Sequence, residues 1–437
     1  WSRDHAPGYF DHPQAVAYAI SASTGLFGRT AFAVHFPALL FSVLTSAALY
    51  RFSLQLFPGR RELAWWSVVL CNVTPIFGLG AVFTTPDAPA TFFWILTAWL
   101  VWRAVQGSPR LWYLAGVTSG LGLLSKYNFV LLPLSVCVFL LHPRHRGWWR
   151  RREPYLAFAI MMLLFVPVLA WNAEREWASF AFQLFRRHGS PAPPWVKVAR
   201  FFVAQQSLSP LLWIACLAAL LRSYRLGRAG SDEHWYLFCG SAVTLGFFGA
   251  WSFFTFVNPN WFGMAFVTLL VPAADLMGAS RSRIVRIAPA GLAAALTLAF
   301  YVQALSPVLP IPPRLDFATD LHGWEEVGSR LRQVRSGMPR PDQVFVAAKR
   351  FQYAALAAFH VGDDLQVTRL AGYRDEYDEW ARPSRGTDVV FFSDDLHFDT
   401  PPDYFRACEA AGTLPIVRRE RTLRTFTFWR CWHFDPR

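Results

Sequence analysis

The chain has 437 residues, of which 54% are hydrophobic, 17% aromatic and only 16% charged, and its mean hydropathy is positive. This excludes an ordinary soluble globule and points to a protein with several membrane spans. The net charge of +13, from 42 Lys and Arg against 29 Asp and Glu, falls in short clusters between apolar runs, where the positive-inside rule explains it without a nucleic-acid partner.

In chain order, residues 1–30 are too polar to span, and Ala15 to Phe27 predicts an amphipathic helix lying at the membrane interface. Apolar runs follow at Ala31–Phe57, Leu63–Phe83, Ala88–Val105, Leu111–Ser125, Tyr127–Leu141, Pro154–Trp171, Phe201–Leu221, Trp235–Phe256, Trp261–Met277 and Ile284–Leu305. A helix needs about 20 residues to cross a bilayer, so these predict a transmembrane domain of about ten helices over 31–305. The two short runs meeting at Lys126 are read as a hairpin.

The connector charges support that reading. Arg60-Arg61, Arg103 with Arg110, the Arg144–Arg152 cluster, Arg222 to Arg228 and Arg281 to Arg286 fall in alternate connectors, which assigns all five to the cytoplasmic side. Gly8–Pro13, Thr84–Pro89, the Lys126 junction, the Asn172–Arg200 loop and Asn258–Asn260 then share the outer face.

Beyond Leu305, four prolines within 307–313 make a stiff linker. The rest of 306–437 reads as a soluble α/β domain on the outer face. Its strands are expected at Val344–Ala348, Leu365–Leu370 and Val389–Ser393, and its helices at Gly323–Arg335 and Phe351–Phe359. The acidic run Asp375–Trp380 reads as a solvated helix face. The fold class is therefore mainly α, a polytopic helix bundle with a C-terminal α/β domain.

Two acids, Asp11 and Asp87, come from separate outer loops, each close to a proline that fixes the local backbone. Thr85, Pro86 and Asp87 also fit a helix start, with Thr85 as N-cap and Pro86 in the first turn. Lys126 is a cation on the side away from the basic loops. It either snorkels to the interface or meets a phosphate. Arg186, Arg187 and His188 add positive charge at that face, to be met by an anionic ligand or by lipid headgroups. His12 and His188 read as hydrogen-bonding or anion-contacting groups, so no metal site is expected. Asn260, with Asn258, either makes a turn or hydrogen-bonds a sugar. Cys408 and Cys431 can form a disulfide in an oxidising compartment, whereas the four cysteines within the spans read as packing groups. No zinc spacing, Walker loop or Rossmann glycine pattern is present, and no cofactor is expected.

With these residues assembled, the chain resembles the C-type superfamily of membrane glycosyltransferases. It looks closest to the bacterial branch containing the lipid A aminoarabinose transferases, which is related to the protein O-mannosyltransferases. Gly8-Tyr9-Phe10-Asp11-His12-Pro13 is similar to the first-outer-loop motif, with Gln14 where a second proline is usual. Thr85-Pro86-Asp87-Ala88-Pro89 matches the second acidic loop, and Gly120 to Tyr127 matches the segment whose lysine contacts the lipid phosphate. The resemblance implies inverting transfer from a polyprenyl-phosphate sugar to an unspecified acceptor, in a bacterial inner membrane with the site facing the periplasm. It adds Tyr9 and Tyr127 to the substrate-binding residues, beside catalytic roles for Asp11 and Asp87. The family's principal acid lies in an Asp-Glu pair that falls before Trp1, and an opening at Trp1 rather than Met reads as a missing natural start. A transporter or flippase of lipid-linked sugars is the alternative. Such a protein usually carries a mid-bilayer site and an internal repeat, whereas here the polar groups gather at one face.

Overall fold

The computed structural model describes residues 1–184, 191–362, 366–370, 375–380, 382–397 and 399–435. The chain divides into two compact units, Trp1–Leu298 and Ala299–Arg437.

The first unit is a helix bundle. It comprises α1 (Ala15–Phe27), α2 (Ala31–Leu56), α3 (Arg61–Val73), α4 (Pro75–Gly80), α5 (Asp87–Val105), α6 (Leu111–Ser125), α7 (Leu131–Leu140), α8 (Arg152–Ala173), α9 (Ala178–Leu184), α10 (Pro194–Ala204), α11 (Pro210–Arg228), α12 (Asp232–Trp251) and α13 (Gly263–Ala279). Helix α14 (Arg283–Leu305) begins here and crosses the boundary. Among the described residues, α2, α5, α8 and α14 are each long and apolar enough to cross a membrane. A bent pair, Pro194–Leu208 with Pro210–Arg228, brings the number to five if it is one span.

Two apolar runs expected to be continuous are broken. Leu63–Phe83 divides at Thr74-Pro75, because proline cannot continue the i to i−4 ladder of the helix before it. Phe201–Leu221 turns by 102° at Ser209, whose φ of +96° no regular helix contains, and α11 restarts with Pro210 in its first turn. The polar residues Gln205, Gln206, Ser207 and Ser209 mark the place.

Helix α6 lies against α8 through Gly116 and Gly120, four residues apart on one face. A Cβ on Gly116 would stand 2.4 Å from the Ala157 carbonyl oxygen, and one on Gly120 would stand 2.6 Å from Leu164 Cδ1. Lipid tails are as apolar as leucine, so close van der Waals approach, rather than water exclusion, holds such helices together. Buried polar side chains add cross-helix bonds: Trp94 Nε1 donates to Thr268 Oγ1 (2.9 Å), and the Tyr236 hydroxyl donates to the Ala98 carbonyl (2.8 Å).

Four of the five arginine-bearing connectors are tied together at one end of the bundle. Asp275, near the end of α13 and 3% exposed, accepts from both Arg60 and Arg222, and His234 Nε2 lies 3.6 Å away. Asp232 pairs with Arg144 (3.1 Å) and lies 3.4 Å from His145. Arg286 reaches Glu62 at 3.5 Å. Burial pushes the His145 imidazole below its ordinary pKa, against the opposing pull of Asp232.

The second unit is an α/β domain with strands β1 (Phe345–Ala348), β2 (Val367–Arg369), β3 (Val389–Asp394), β4 (Phe405–Arg418) and β5 (Arg421–Phe434), and helices α15 (Trp324–Ser336), α16 (Phe351–Val361) and α17 (Tyr377–Trp380). The sheet order is β2-β1-β3-β5-β4, with β1 parallel to β2 and β3, and β5 antiparallel to β3 and β4. Three strands lie where the sequence places them, while the long hairpin β4–β5 was not anticipated. The Cys408–Cys431 disulfide joins directly opposed residues of that hairpin. The acidic run is only in part the solvated face expected of it: Glu379 is exposed and Asp378 half-buried, but Asp375 and Glu376 are both 8% exposed, and Asp375 pairs with Arg369. Burial pushes the Asp375 carboxyl up even with that guanidinium beside it. In the core, fully enclosed Arg424 donates to the His322 carbonyl (3.0 Å) and lies 3.5 Å from Asp394, to which the Tyr353 hydroxyl donates (2.5 Å). Burial, reinforced by Asp394, drives the Tyr353 phenol well above its usual range.

The α6–α8 contact yields a stability prediction. Gly116→Val is expected to force the two helices apart at a cost of about 1–3 kcal/mol. Denaturant unfolding of the detergent-purified protein measures this, and an unchanged midpoint would show that the backbones do not approach this closely.

Candidate active site

Lys126 is where the chain between α6 and α7 stops being helical. Its backbone is extended (φ −157°, ψ 133°), and the chain re-enters a 3₁₀ turn at Tyr127–Val130 before α7. Gly122 makes the turn possible, since a Cβ there would stand 2.2 Å from the Phe129 ring that folds back beneath it. Phe129 is fully buried, edge-on to Trp94 at 5.7 Å.

The break carries a buried ammonium. Lys126, 5% exposed, donates to Asp87 Oδ1 (2.5 Å) and to the Asn260 carbonyl (2.9 Å). Asp87 stands in the first turn of α5, where the helix dipole favours an anion. Its second oxygen accepts from Asn260 Nδ2 (3.1 Å) and Thr85 Oγ1 (3.3 Å). Thr85 is thus not the N-cap expected of it: Pro86 precedes the helix, and the threonine hydroxyl turns to the carboxylate instead. Asn128 Nδ2 donates to the Trp261 carbonyl (2.6 Å), pinning the approach to α13 against the same turn.

The N-terminal loop is a tight turn closed by a Gly8–Pro13 bridge and by Tyr9 N–H donating to the His12 carbonyl (3.1 Å). Tyr9 and Phe10 anchor it. The Tyr9 hydroxyl donates to the Asp4 carbonyl (2.9 Å), and Phe10 packs edge-on against Trp171 at 5.8 Å. Asp11 at the tip accepts from Gln183 Nε2 (3.1 Å), and His12 Nε2 lies 3.7 Å from its other oxygen. Helix α9 links this loop to the lysine turn. Ser179, one helical turn before Gln183, shares a 2.8 Å hydrogen bond with the Tyr127 hydroxyl. The His12 imidazole lies within electrostatic reach of Asp87.

Asp87, Lys126 and Asn260 therefore form one bonded cluster, and α9 connects it, through Tyr127 next to Lys126, to Asp11 and His12, with Tyr9 holding their loop. Arg186, Arg187 and His188 lie outside the described residues. Sequence reasoning passed over Gln183, Ser179 and Asn128, and gave Thr85 a capping role rather than a bond to the Asp87 carboxylate. The only signal for the first two was their i, i+4 spacing in an otherwise apolar helix. From Gly263 to Asp275 is about 18 Å of helix rise, so the network and the arginine cluster occupy opposite ends of α13.

Beside Asp87 opens a cavity of about 240 Å³. Ala38, Ile76, Phe77, Leu79, Phe83 and Met264 make its wall apolar, and Asp87 and Asn260 stand at its polar corner. An apolar slot ending in a few convergent polar groups suits an amphipathic ligand.

Residues 11–171 match the family described as dolichyl-phosphate-mannose-protein mannosyltransferase. The undecaprenyl phosphate-alpha-4-amino-4-deoxy-L-arabinose arabinosyl transferase of Aeromonas salmonicida is 27% identical over 311 residues, covering 66% of this chain and 55% of that protein. The lipid A galacturonosyltransferase RgtD of Rhizobium johnstonii is 26% identical over 258 residues, covering 56% of this chain and 52% of that protein. This chain thus spans about half the length of the curated relatives it matches. The structure of ArnT from Cupriavidus metallidurans bound to undecaprenyl phosphate shares the fold, with a TM-score of 0.63 at 13% identity over 96% of this chain and 88% of that one. The resemblance to the C-type membrane glycosyltransferases holds in both sequence and fold. The segment matched to the mannosyltransferase family carries Asp11, His12, Asp87, Lys126 and Tyr127, whereas Asn260 joins them only through folding.

A buried ion pair loses most when one partner is removed. Asp87→Asn is expected to destabilise the protein by about 3 kcal/mol, because it strands the Lys126 charge. Asp87→Asn/Lys126→Met should lose less than the two single losses added. Unfolding of wild type, both single variants and the double variant measures the coupling, and strict additivity would dissolve the pair.

Proposed function

We propose that the protein is an integral-membrane glycosyltransferase that moves a sugar from a polyprenyl-phosphate donor to a nucleophilic acceptor. The observation that carries this reading is an apolar cavity whose polar corner is made by Asp87 and Asn260, the two residues whose carboxylate and carbonyl hold the buried Lys126 ammonium. The cavity has the chemistry to take the first units of the polyprenyl chain, with the rest of the tail left in lipid. The donor phosphate then competes with Asp87 for Lys126, so donor binding releases the carboxylate it displaces.

In the reaction, the acceptor oxygen or nitrogen attacks the anomeric carbon as the bond to the phosphate oxygen breaks. The electron pair leaves with polyprenyl phosphate, where Lys126 stabilises the developing charge. A carboxylate takes the acceptor proton. In this reading Asp11 and Asp87 orient acceptor and sugar, with His12, Tyr127 and Asn260 as hydrogen-bonding neighbours. Arg186, Arg187 and His188 belong to the same proposal as further anion contacts. A single displacement inverts the anomeric centre.

The distribution of arginines supports an orientation with the Asp275 end in the cytoplasm. The active site and the domain at 306–437 then face the periplasm of a bacterial inner membrane.

Incubating the purified protein with polyprenyl-phosphate sugars and an acceptor extract, then measuring released carrier phosphate by mass spectrometry, tests the proposal. Lys126→Met is expected to lower transfer per folded molecule by about 100-fold, the loss typical of one transition-state charge partner. Movement of intact donor across vesicles, with no carrier phosphate released, would instead identify a transporter.

A further inference from the structure

A second cavity, of about 290 Å³, opens among α5, α6, α7 and α8. It lies toward the arginine-rich end. Trp112, which lines it, is 14 residues and about 21 Å of helix rise from Lys126. None of Asp11, Asp87, Lys126 and Asn260 borders it.

Its interior is apolar, with Val101, Val136, Leu140, Phe158 and Met161 among the walls. Trp149 and Tyr155 form a fixed rim: the Trp149 indole donates to the Leu140 carbonyl (3.1 Å), and the Tyr155 hydroxyl donates to the Trp149 carbonyl (2.8 Å). Amphipathic aromatics of this kind sit at the level of lipid headgroups. Cys137 also lines the cavity, and it is the free cysteine that is exposed, whereas Cys71, Cys216 and Cys239 are buried.

The chain at the rim holds a surplus of positive charge. Five arginines fall within Arg144–Arg152. Arg144 is taken by Asp232, while Arg151 and Arg152 share the single carboxylate of Glu153. Arg146 and Arg150 are exposed and make no hydrogen bond or ion pair among the described residues. Both are within a few residues of Trp149. An apolar slot, an aromatic rim and under-neutralised guanidinium groups thus coincide, and their chemistry matches the tail, glycerol level and phosphate of a lipid.

The geometry points to a binding site for an anionic phospholipid of the surrounding bilayer, with one acyl chain in the cavity and the headgroup on Arg146, Arg150 and Arg152. Each buried methylene of the chain favours occupancy roughly fourfold, and each cation near an anionic headgroup favours it about fivefold. A zwitterionic lipid brings its own cation against the arginines and forfeits the second gain. The site is separate from the donor cavity, so it stands whether or not the transferase reading does.

The exposed thiol supplies the test. In detergent, alkylation of Cys137 by N-ethylmaleimide is followed by peptide mass spectrometry with no lipid, with phosphatidylglycerol, or with phosphatidylcholine. Phosphatidylglycerol is expected to slow labelling at least about tenfold, and phosphatidylcholine less than about twofold. Arg146→Gln/Arg150→Gln/Arg152→Gln should erase the difference between the lipids, and the corresponding triple Lys variant should restore it, with melting temperatures showing both to be folded. Equal protection by the two lipids, no protection by either, or selectivity surviving in the Gln variant would overturn the proposal.

Discussion

The structure of the candidate site depends on neutralising one ammonium group out of water. Lys126 sits where α6 breaks, and a break that is buried in the protein leaves backbone polar groups and a charge that must find partners there. The pairing of Lys126 with Asp87 and the Asn260 carbonyl, and of Asn128 with the Trp261 carbonyl, fastens three distant segments around the break. The start of α5, the α6–α7 turn and the approach to α13 are thereby held by charge and hydrogen bonds, where the rest of the bundle relies on apolar packing. Gly122 and Phe129 are the steric side of the same device, since only a residue without Cβ lets the ring close under the turn.

The two ends of the bundle use charge in opposite ways. At the arginine end, Asp275 is 3% exposed and held by Arg60 and Arg222, so it has no accessible face for a ligand. Its work is to tie connectors together. At the other end, the Asp87 side chain keeps 22% of its surface, borders a cavity, and among the described residues forms an ion pair with Lys126 alone. A group that is to exchange its partner during a reaction must be reachable and only just compensated. Asp87 meets both conditions and Asp275 meets neither.

What could be read from the sequence follows from how local each feature is. Long apolar runs gave α2, α5, α8 and α14 to within a few residues, because span length is a property of contiguous chain. The Lys126 break was readable for the same reason: a lone cation between two runs too short to cross marks a turn rather than the middle of a span. Hydropathy averages over bends, so the turn at Ser209 vanished into an apolar window even though four polar residues mark it. The β4–β5 hairpin was missed because β4 is largely exposed and mixed in character, so its strand identity comes from its partner. The acidic run misled in the opposite sense, since Arg369, the residue that neutralises Asp375, belongs to a strand whose packing no local pattern announces.

The candidate site shows the same division. Asp11, Asp87 and Lys126 stand out because a charge among apolar helix ends is costly wherever it lies. The groups that join them do not, because Gln183, Ser179 and Asn128 are ordinary polar residues until tertiary structure aims them. Sequence therefore shows which groups must be compensated, while the fold decides which neutral groups do the positioning. In the proposed reaction these roles differ chemically. Lys126 and the acids carry the charge that moves, whereas the Ser179–Gln183 face of α9 couples the loop of Asp11 to the turn of Lys126. Because α9 is hydrogen-bonded to Asp11 on one side and to Tyr127 on the other, a shift of that single helix changes the separation between the acid at the tip of the first loop and the turn that carries Lys126.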